Sequence, residues 1–424
     1  MQGKRFLLGH AIGLAFLAVA LFLTSVFSSA QTETVLHSFN TPRGANPAAG
    51  LVFDAAGNLY GTTVNGGRFN NGTVFELVHQ GGHWSNVILH AFSGSHLHDT
   101  LDGAAPYSTL VFDGAGNLYG TTSLAGSAAN CGAVFQLSPQ AGSIWTESLI
   151  YTIPMCAPNF GLLSSLTFDP TGNLYGTMTA DCEPPVSCNA VFQLSPQAGG
   201  GWTERSMCPH ECESFWNELI AGVILDASGN LYGTGNLGSE DAGYYGGVWE
   251  LHDQAVLPLV IFDVDGYNGA KPRGSLIFDA AGNLYGTTSG GGLPDSGCTL
   301  GCGVVFELSP GAHATSPWSE KVLHNFTGNG GDGDLPYANL VFDAAGNLYG
   351  TTSAGGAYGY GTVFELGPNR VGGWKYRVLH SFNNNGVDGI TPTGGLILDA
   401  AGNLYGTTSA GGAYGVGTVF RVKP

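Results

Sequence analysis

The sequence predicts an all-β protein, a seven-bladed β-propeller of four-stranded antiparallel blades. Three observations predict it. A hydrophobic strand, an Asp turn and then Gly-Asn-Leu-Tyr-Gly-Thr recur seven times, with the Asn at Asn58, Asn117, Asn173, Asn230, Asn283, Asn347 and Asn403. Each period holds four short segments rich in Val, Leu, Phe, Tyr or Thr and bounded by Gly, Asn, Asp or Pro, which is how strands and turns announce themselves. The two ends of the chain carry complementary parts of a single period.

The motif intervals are 59, 56, 57, 53, 64 and 56 residues, and periods of this size mark propellers, solenoids or arrays. In the sixth period the four segments are Asn339–Asp343, Asn347–Thr352, Gly361–Leu366 and Trp374–Phe382. No segment sustains a 3.6-residue period, so helix is nearly absent. Four strands repeated seven times is the arithmetic of a propeller. A β-solenoid is the rival, with shorter rungs and capped ends. The termini decide between them: Glu33 to Phe39 matches the fourth segment Val378-Leu-His-Ser-Phe382, and Gly417 to Val422 is a third segment. The N-terminal strand is therefore expected to join the last blade, closing the ring and removing exposed sheet edges.

Composition fits that architecture and excludes several functions. Gly is 69 of 424 residues, more than twice ordinary usage, and charged residues are only 10%, well below the usual quarter. The 43% hydrophobic content is ample for a core. With 13 basic against 31 acidic residues and a net charge of −18, the chain cannot neutralise a row of phosphates, which excludes nucleic acid as partner. Anionic lipid headgroups are excluded for the same reason.

Lys4 and Arg5 precede an apolar run from Phe6 to Phe27, and Ser28-Ser29-Ala30 offers small residues before Gln31. This reads as a signal peptide, residues 1–30, with an uncleaved anchor as the alternative. Residues 31–424 are then a single propeller, monomeric and secreted, periplasmic or on the cell surface. No second apolar run suggests a membrane span.

Residues that recur in every period serve the blade. Asp54, Asp113, Asp169, Asp226, Asp279, Asp343 and Asp399 precede the turn Gly by three residues, where a carboxylate accepts backbone N–H groups. Tyr60 and its six equivalents are expected to pack between blades, as are Phe75, Phe135, Phe192, Trp249, Phe306, Phe364 and Phe420. His37, His90, His324 and His380 share a slot in the fourth strand, far apart around the rim. Hydrogen-bonded structural roles suit them better than a shared metal.

The repeat resembles the GloVer tandem repeat of exported bacterial proteins, a family described as having a choice of anchors. The match is carried by Leu51-Val-Phe-Asp-Ala-Ala-Gly-Asn-Leu-Tyr-Gly-Thr-Thr63, Gly72-Thr-Val-Phe-Glu-Leu77 and their later copies. The Asp-x-x-Gly-Asn-Leu-Tyr hairpin is also similar to that of NHL-type propellers. The resemblance implies the same fold and export, and little about activity. Family members often carry a C-terminal anchoring segment, whereas this sequence reaches Pro424 directly after its last strand, an expectation against surface anchoring.

Symmetry breaks on one face, that of the loops from strand four to one and from strand two to three. All eight cysteines map there: Cys131, Cys156, Cys182, Cys188, Cys208, Cys212, Cys298 and Cys302. An even number in an exported chain reads as disulfides. The expected pairs are Cys131–Cys156, Cys182–Cys188, Cys208–Cys212 and Cys298–Cys302, with a metal site from Cys182, Cys188, Cys208 and Cys212 as the alternative. The same face carries insertions holding His96, His98, Asp99 and Asp102, and His210, Glu211, Glu213, Phe215 and Trp216. Trp216 is the one tryptophan with no place in the repeat, and an unpatterned aromatic among His and Glu on a loop marks a candidate binding site. A plug packed over the blade is the competing reading.

Asp-Gly loops at Asp102, Asp265, Asp332, Asp334 and Asp388 offer oxygen ligands for Ca²⁺ but lack EF-hand spacing, and Asp-Gly is first a turn. No cofactor is otherwise expected. There is no Gly-x-Ser-x-Gly elbow, His-Glu-x-x-His, P-loop or dinucleotide fingerprint. The expectation is an exported, non-catalytic binding module for a glycan or protein. The alternatives are a polysaccharide hydrolase or lyase using Asp99, Asp102, Glu211 and Glu213, and a purely structural surface component.

Overall fold

Each blade begins at its Asp turn. Asp54 Oδ1 accepts the N–H groups of Ala56 (2.9 Å) and Asn58 (2.8 Å), and Oδ2 accepts Asn58 Nδ2 (2.8 Å). Gly57 supplies the positive φ of 84° that the turn needs. The same three bonds form at Asp113, Asp169, Asp226, Asp279, Asp343 and Asp399. The recurring carboxylates are thus spent on their own turns.

A computed structural model describes residues 33–424, apart from 95–101, 126–131, 143, 154–163, 179–189, 208–215, 219–220, 238–244, 253–254, 263–265, 294–297, 299, 312–316 and 370–371. It is a seven-bladed propeller. Blade 1 runs outward through antiparallel strands Val52–Phe53, Leu59–Thr63, Thr73–Gln80 and His83–Ala91. Blades 2 to 6 repeat that order from Val111, Thr167, Ile224, Ile277 and Val341. Blade 6, for instance, is Val341–Phe342, Leu348–Thr352, Thr362–Pro368 and Trp374–Ser381, close to the four segments read from sequence. Blade 7 takes Ile397–Leu398, Leu404–Thr408 and Thr418–Val422, and its fourth strand is the N-terminal Glu33–Ser38, paired Glu33 with Val422 through Ser38 with Thr418. The 3₁₀ turn Thr41–Arg43 is a short helical element, and among the described residues no helix is long and apolar enough to cross a membrane.

The core lies between blades, as seven separate clusters. One holds Tyr60, Val74 and Phe92 of blade 1 against Leu110, Leu118, Phe135 and Leu137 of blade 2. Tyr60 meets the ring of Phe112 edge-on at 5.2 Å and that of Trp145 at 6.3 Å. The pattern recurs in Tyr119 with Phe168 and Trp202, Tyr232 with Phe278 and Trp318, Tyr285 with Phe342 and Trp374, and Tyr405 with Phe53 and Trp84. This accounts for the tryptophans that open fourth strands. The third-strand aromatic is fully buried, and it explains the Gly after each Tyr: a Cβ on Gly61 would sit 2.7 Å from Phe75 Cζ.

The Thr of the motif ties neighbouring blades. Thr62, Thr121, Thr177, Thr234, Thr287 and Thr351 donate their Oγ1–H to a backbone carbonyl of the next blade, those of Ser108, Ser164, Ala221, Gly274, Ala338 and Gly394, at 2.9–3.4 Å. Thr407 does the same to Ala49 at 2.7 Å, which joins blade 7 to blade 1. Each buried bond contributes roughly 1 kcal/mol, and the seventh makes the ring close like any other seam.

Candidate functional site

In blades 1, 2, 5, 6 and 7 the loop entering the first strand crosses the channel mouth on a constrained backbone. Asn46, Ala105, Lys271, Leu335 and Thr391 have φ of 57°, 52°, 56°, 57° and 58°, and every one precedes a proline. A left-handed residue is costly for a branched side chain, and a following proline disfavours helical conformations further. The preceding blade holds the loop in place. The N–H of these residues donates to Val416, Asn71, Tyr245, Cys302 and Thr391's partner Tyr360, at 2.7–3.2 Å. Pro47, Pro106, Pro272, Pro336 and Pro392 then close on Gly417, Gly72, Gly246, Gly303 and Gly361, where a Cβ would lie 2.6–2.8 Å from the proline Cδ.

This scaffold presents one variable side chain in each of these five blades. After the proline come Ala48, Tyr107, Arg273, Tyr337 and Thr393 in blades 1, 2, 5, 6 and 7; the equivalents in blades 3 and 4, residues 163 and 220, lie outside the described residues. A pair of residues, mostly small, follows in every blade: Ala49-Gly50, Ser108-Thr109, Ser164-Ser165, Ala221-Gly222, Gly274-Ser275, Ala338-Asn339 and Gly394-Gly395, of which all but Ser108 and Ser164 line the channel. Their hydroxyls bridge blades, with Gly50 N–H donating to Thr109 Oγ1 (3.0 Å) and Thr109 N–H to Ser165 Oγ (3.2 Å). Together they enclose a cavity of about 520 Å³, within the range of small-molecule sites. Arg273 is its one charged lining residue. The guanidinium lies 5.5 Å from the Tyr337 ring centroid, and among the described residues it has no hydrogen-bond or ion-pair partner. Tyr107 is 43% exposed.

The same face carries exposed aromatics on the loops from strand two to three. Tyr358 and Tyr414 are 57% and 64% exposed in blades 6 and 7. Phe69 holds the matching position in blade 1, with Arg68 over its ring at 5.2 Å.

Farther out, the fourth-strand histidines are bonded as expected. A β-bulge in blade 1 pairs Ile88 with Phe75 and His90 with Val74, leaving Leu89 extra. Such a bulge re-aims the side chains beyond it. His90 meets Asp102 at 3.2 Å, while Asp102 Oδ2 accepts Ser93 N–H (2.7 Å) and Oγ–H (2.8 Å). His324 with Asp332 (3.3 Å) and His380 with Asp388 (3.0 Å) repeat the arrangement, and His37 pairs instead with Asn86 at 3.1 Å. Burial alone would raise Asp102, yet its bonds from His90 and Ser93 hold the carboxyl below the usual range. A Glu from the next blade approaches two of these pairs: donor atoms of His90, Asp102 and Glu147, and of His380, Asp388 and Glu33, lie within 4.8 Å of one another. Burial first, then the adjacent Asp and against the nearby His, pushes Glu147 and Glu33 up to about 7. Imidazole and Asp already bind each other, so the clusters act as ties between blades.

Asp102 thus sits in an inter-blade tie. Of the other candidates, His96, His98, Asp99, His210, Glu211, Glu213 and Phe215 lie outside the described residues. Trp216 belongs to a short strand, Trp216–Glu218, paired with Leu231–Leu237. Cys298 and Cys302 form a disulfide with Cα atoms 5.4 Å apart; the other six cysteines are outside the described residues, as is Asp265. The channel-mouth residues escaped the sequence reading. Their signal was Pro-x-small-small-Leu in blades 1, 2, 5, 6 and 7, with x Ala, Tyr, Arg, Tyr and Thr in turn.

Comparison with solved structures places the fold among propellers. A candidate 6-phosphogluconolactonase from Bacteroides uniformis is 12% identical, with TM-score 0.50 over 84% of this chain and 89% of that one. An ancestral GH74 enzyme is 12% identical, with TM-score 0.54 over 93% of this chain and 51% of that one, so the chain spans about half its length. At such identities the likeness is one of fold alone. No curated protein matches the sequence. A family model described as the Gloeobacter/Verrucomicrobia repeat matches residues 22–208 and 295–424, well over half the chain. The protein belongs to the Gloeobacter/Verrucomicrobia repeat family.

Proposed function

We propose that this propeller is a non-catalytic binding module that takes its ligand over the channel mouth on the cysteine-bearing face. One observation carries the reading: Ala48, Tyr107, Arg273, Tyr337 and Thr393 differ in chemistry while the backbone that presents them is held alike by bonds from each preceding blade. A fixed backbone with interchangeable side chains is the arrangement of recognition loops on a rigid scaffold. Exposed tyrosines beside the mouth supply amphipathic faces with few rotatable bonds, suited to the apolar face and hydroxyl edge of a sugar ring. The ligand is accordingly a glycan.

The module is exported, with residues 1–30 a cleaved leader and residues 31–424 one secreted, periplasmic or cell-surface domain. Lys4, Arg5 and the apolar run to Phe27 support this, and the Cys298–Cys302 bond suits an oxidising compartment. N-terminal sequencing of the exported protein should begin at Gln31.

Calorimetry of the intact protein against a polysaccharide panel, with reducing ends assayed in parallel, tests the function. Binding without product, weakened at least tenfold by Tyr107→Ala and Tyr337→Ala, is the expected result. Release of product would replace this reading with that of a polysaccharide hydrolase or lyase.

A further inference from the structure

Among the described residues Arg273 has no counter-ion, although the protein is acidic. The chain has 13 Lys and Arg against 31 Asp and Glu, so carboxylates outnumber cations by more than two to one. Arg377 pairs with Glu365, and Lys321 lies 3.9 Å from Glu307. Arg273 instead stands at the mouth of the central cavity, exposed, with its Cζ over the Tyr337 ring at 5.5 Å and no hydrogen-bond partner among the described residues. That cation–π contact uses no N–H group, so it leaves the planar fork of donors that matches a carboxylate in two parallel bonds. The surrounding lining, Ser, Thr, Asn, Gly and Ala with Tyr107 and Tyr337, is neutral. It offers hydroxyl, amide and aromatic surface but no second charge, so the cavity has room for one anionic group on an otherwise neutral, hydroxylated ligand. The negative charge elsewhere on the protein is screened beyond about 8 Å at physiological salt, which leaves the local cation to decide.

We infer that the channel mouth recognises an acidic glycan, a chain containing uronic acid, whose carboxylate is held by the Arg273 fork while its ring lies against Tyr107 or Tyr337. The inference rests on the mouth being the binding site, and it adds the chemistry of the ligand.

The test is calorimetric titration of the intact protein with trisaccharides of galacturonate, glucuronate and mannuronate, each beside its methyl ester, which keeps the ring and removes the charge. Sodium sulfate serves as a free-anion control. At least one acid should bind ten-fold or more tighter than its ester. Arg273→Gln should erase that preference and leave the ester unchanged; Arg273→Lys, which keeps the charge and loses the fork, should fall between. Sulfate should not compete at equal concentration. Ester and acid binding alike, with Arg273→Gln silent but Tyr107→Ala and Tyr337→Ala weakening both, would sink the carboxylate assignment and keep the mouth. Competition by sulfate would reduce the site to a bare anion site and overturn the glycan. Absence of binding by all six saccharides, or binding that none of the mouth variants alters, would overturn both this inference and the reading beneath it.

Discussion

The two faces of the propeller follow opposite rules. On the hairpin face, Asp, Gly, Asn and Tyr stand in the same places in all seven blades, and each carboxylate is consumed by its own turn. At the channel mouth the backbone repeats in blades 1, 2, 5, 6 and 7, but the residue after each proline changes from Ala48 to Tyr107, Arg273, Tyr337 and Thr393. In a repeat protein, recurrence marks framework, and variation upon a recurring backbone marks recognition. Even the cavity between hairpins of blades 2 and 3, lined by Asp113, Tyr119, Asp169 and Trp202, is made of groups already bonded within the framework.

That contrast can be broken from either side. The largest effect is expected from Gly350→Val, since a Cβ there would fall 2.5 Å from Phe364 Cζ. Overpacking of a core costs about 3 kcal/mol at such a site, read as a lower denaturation midpoint, with ligand binding intact below the transition. Asp343→Ala comes next. It removes acceptors for Ala345, Asn347 and Tyr349 and should cost about 2 kcal/mol; no loss of stability would mean that the hairpin tolerates an open turn.

A smaller effect depends on pH. Glu33 and Glu147 have folded-state values raised to about 7 from 4.5, so folding favours their neutral form. Their neutral form adds stability that is fully present below pH 4.5 and lost as pH rises through 7. Glu33→Gln and Glu147→Gln should therefore raise the melting temperature at pH 8 by a few degrees and leave it unchanged at pH 4.5. An equal gain at both pH values would show that charge is not the cause. The smallest stability effect belongs to the mouth: Tyr107→Ala and Thr393→Ala should each shift stability by less than about 0.5 kcal/mol. A larger loss would make those side chains framework.

Much of the framework was legible in the sequence because each device occupies the same slot in every period. The Asp turn, the Tyr packing across the seam and the joining of Glu33–Ser38 to the last blade follow from residue type and position. The Thr ties were not legible: a Thr in a strand reads as β propensity, and nothing local shows that Thr62 reaches a carbonyl 46 residues on. Nor did sequence show the tie between His90 and Asp102, which depends on the bulge at Leu89. The mouth was missed for a different reason. Arg273 is one variable residue between a turn proline and two small residues, and its meaning arises when blades from distant parts of the chain converge on one axis.

The closing seam has a kinetic consequence. Ser38 Oγ accepts the N–H of Ala413, 375 residues away along the chain, and Thr407 reaches Ala49 across 358. Such contacts form late, because the entropy of closing so large a loop is lost before they return any stability. Until they do, the flank of blade 1 that carries Leu51 and Phe53 lacks Tyr405 and Val419, its partners in the seventh core. The open arc is an adhesive intermediate, able to meet a second copy where it should meet itself. Refolding should therefore lose yield steeply with protein concentration, while the closed ring has no such flank to offer.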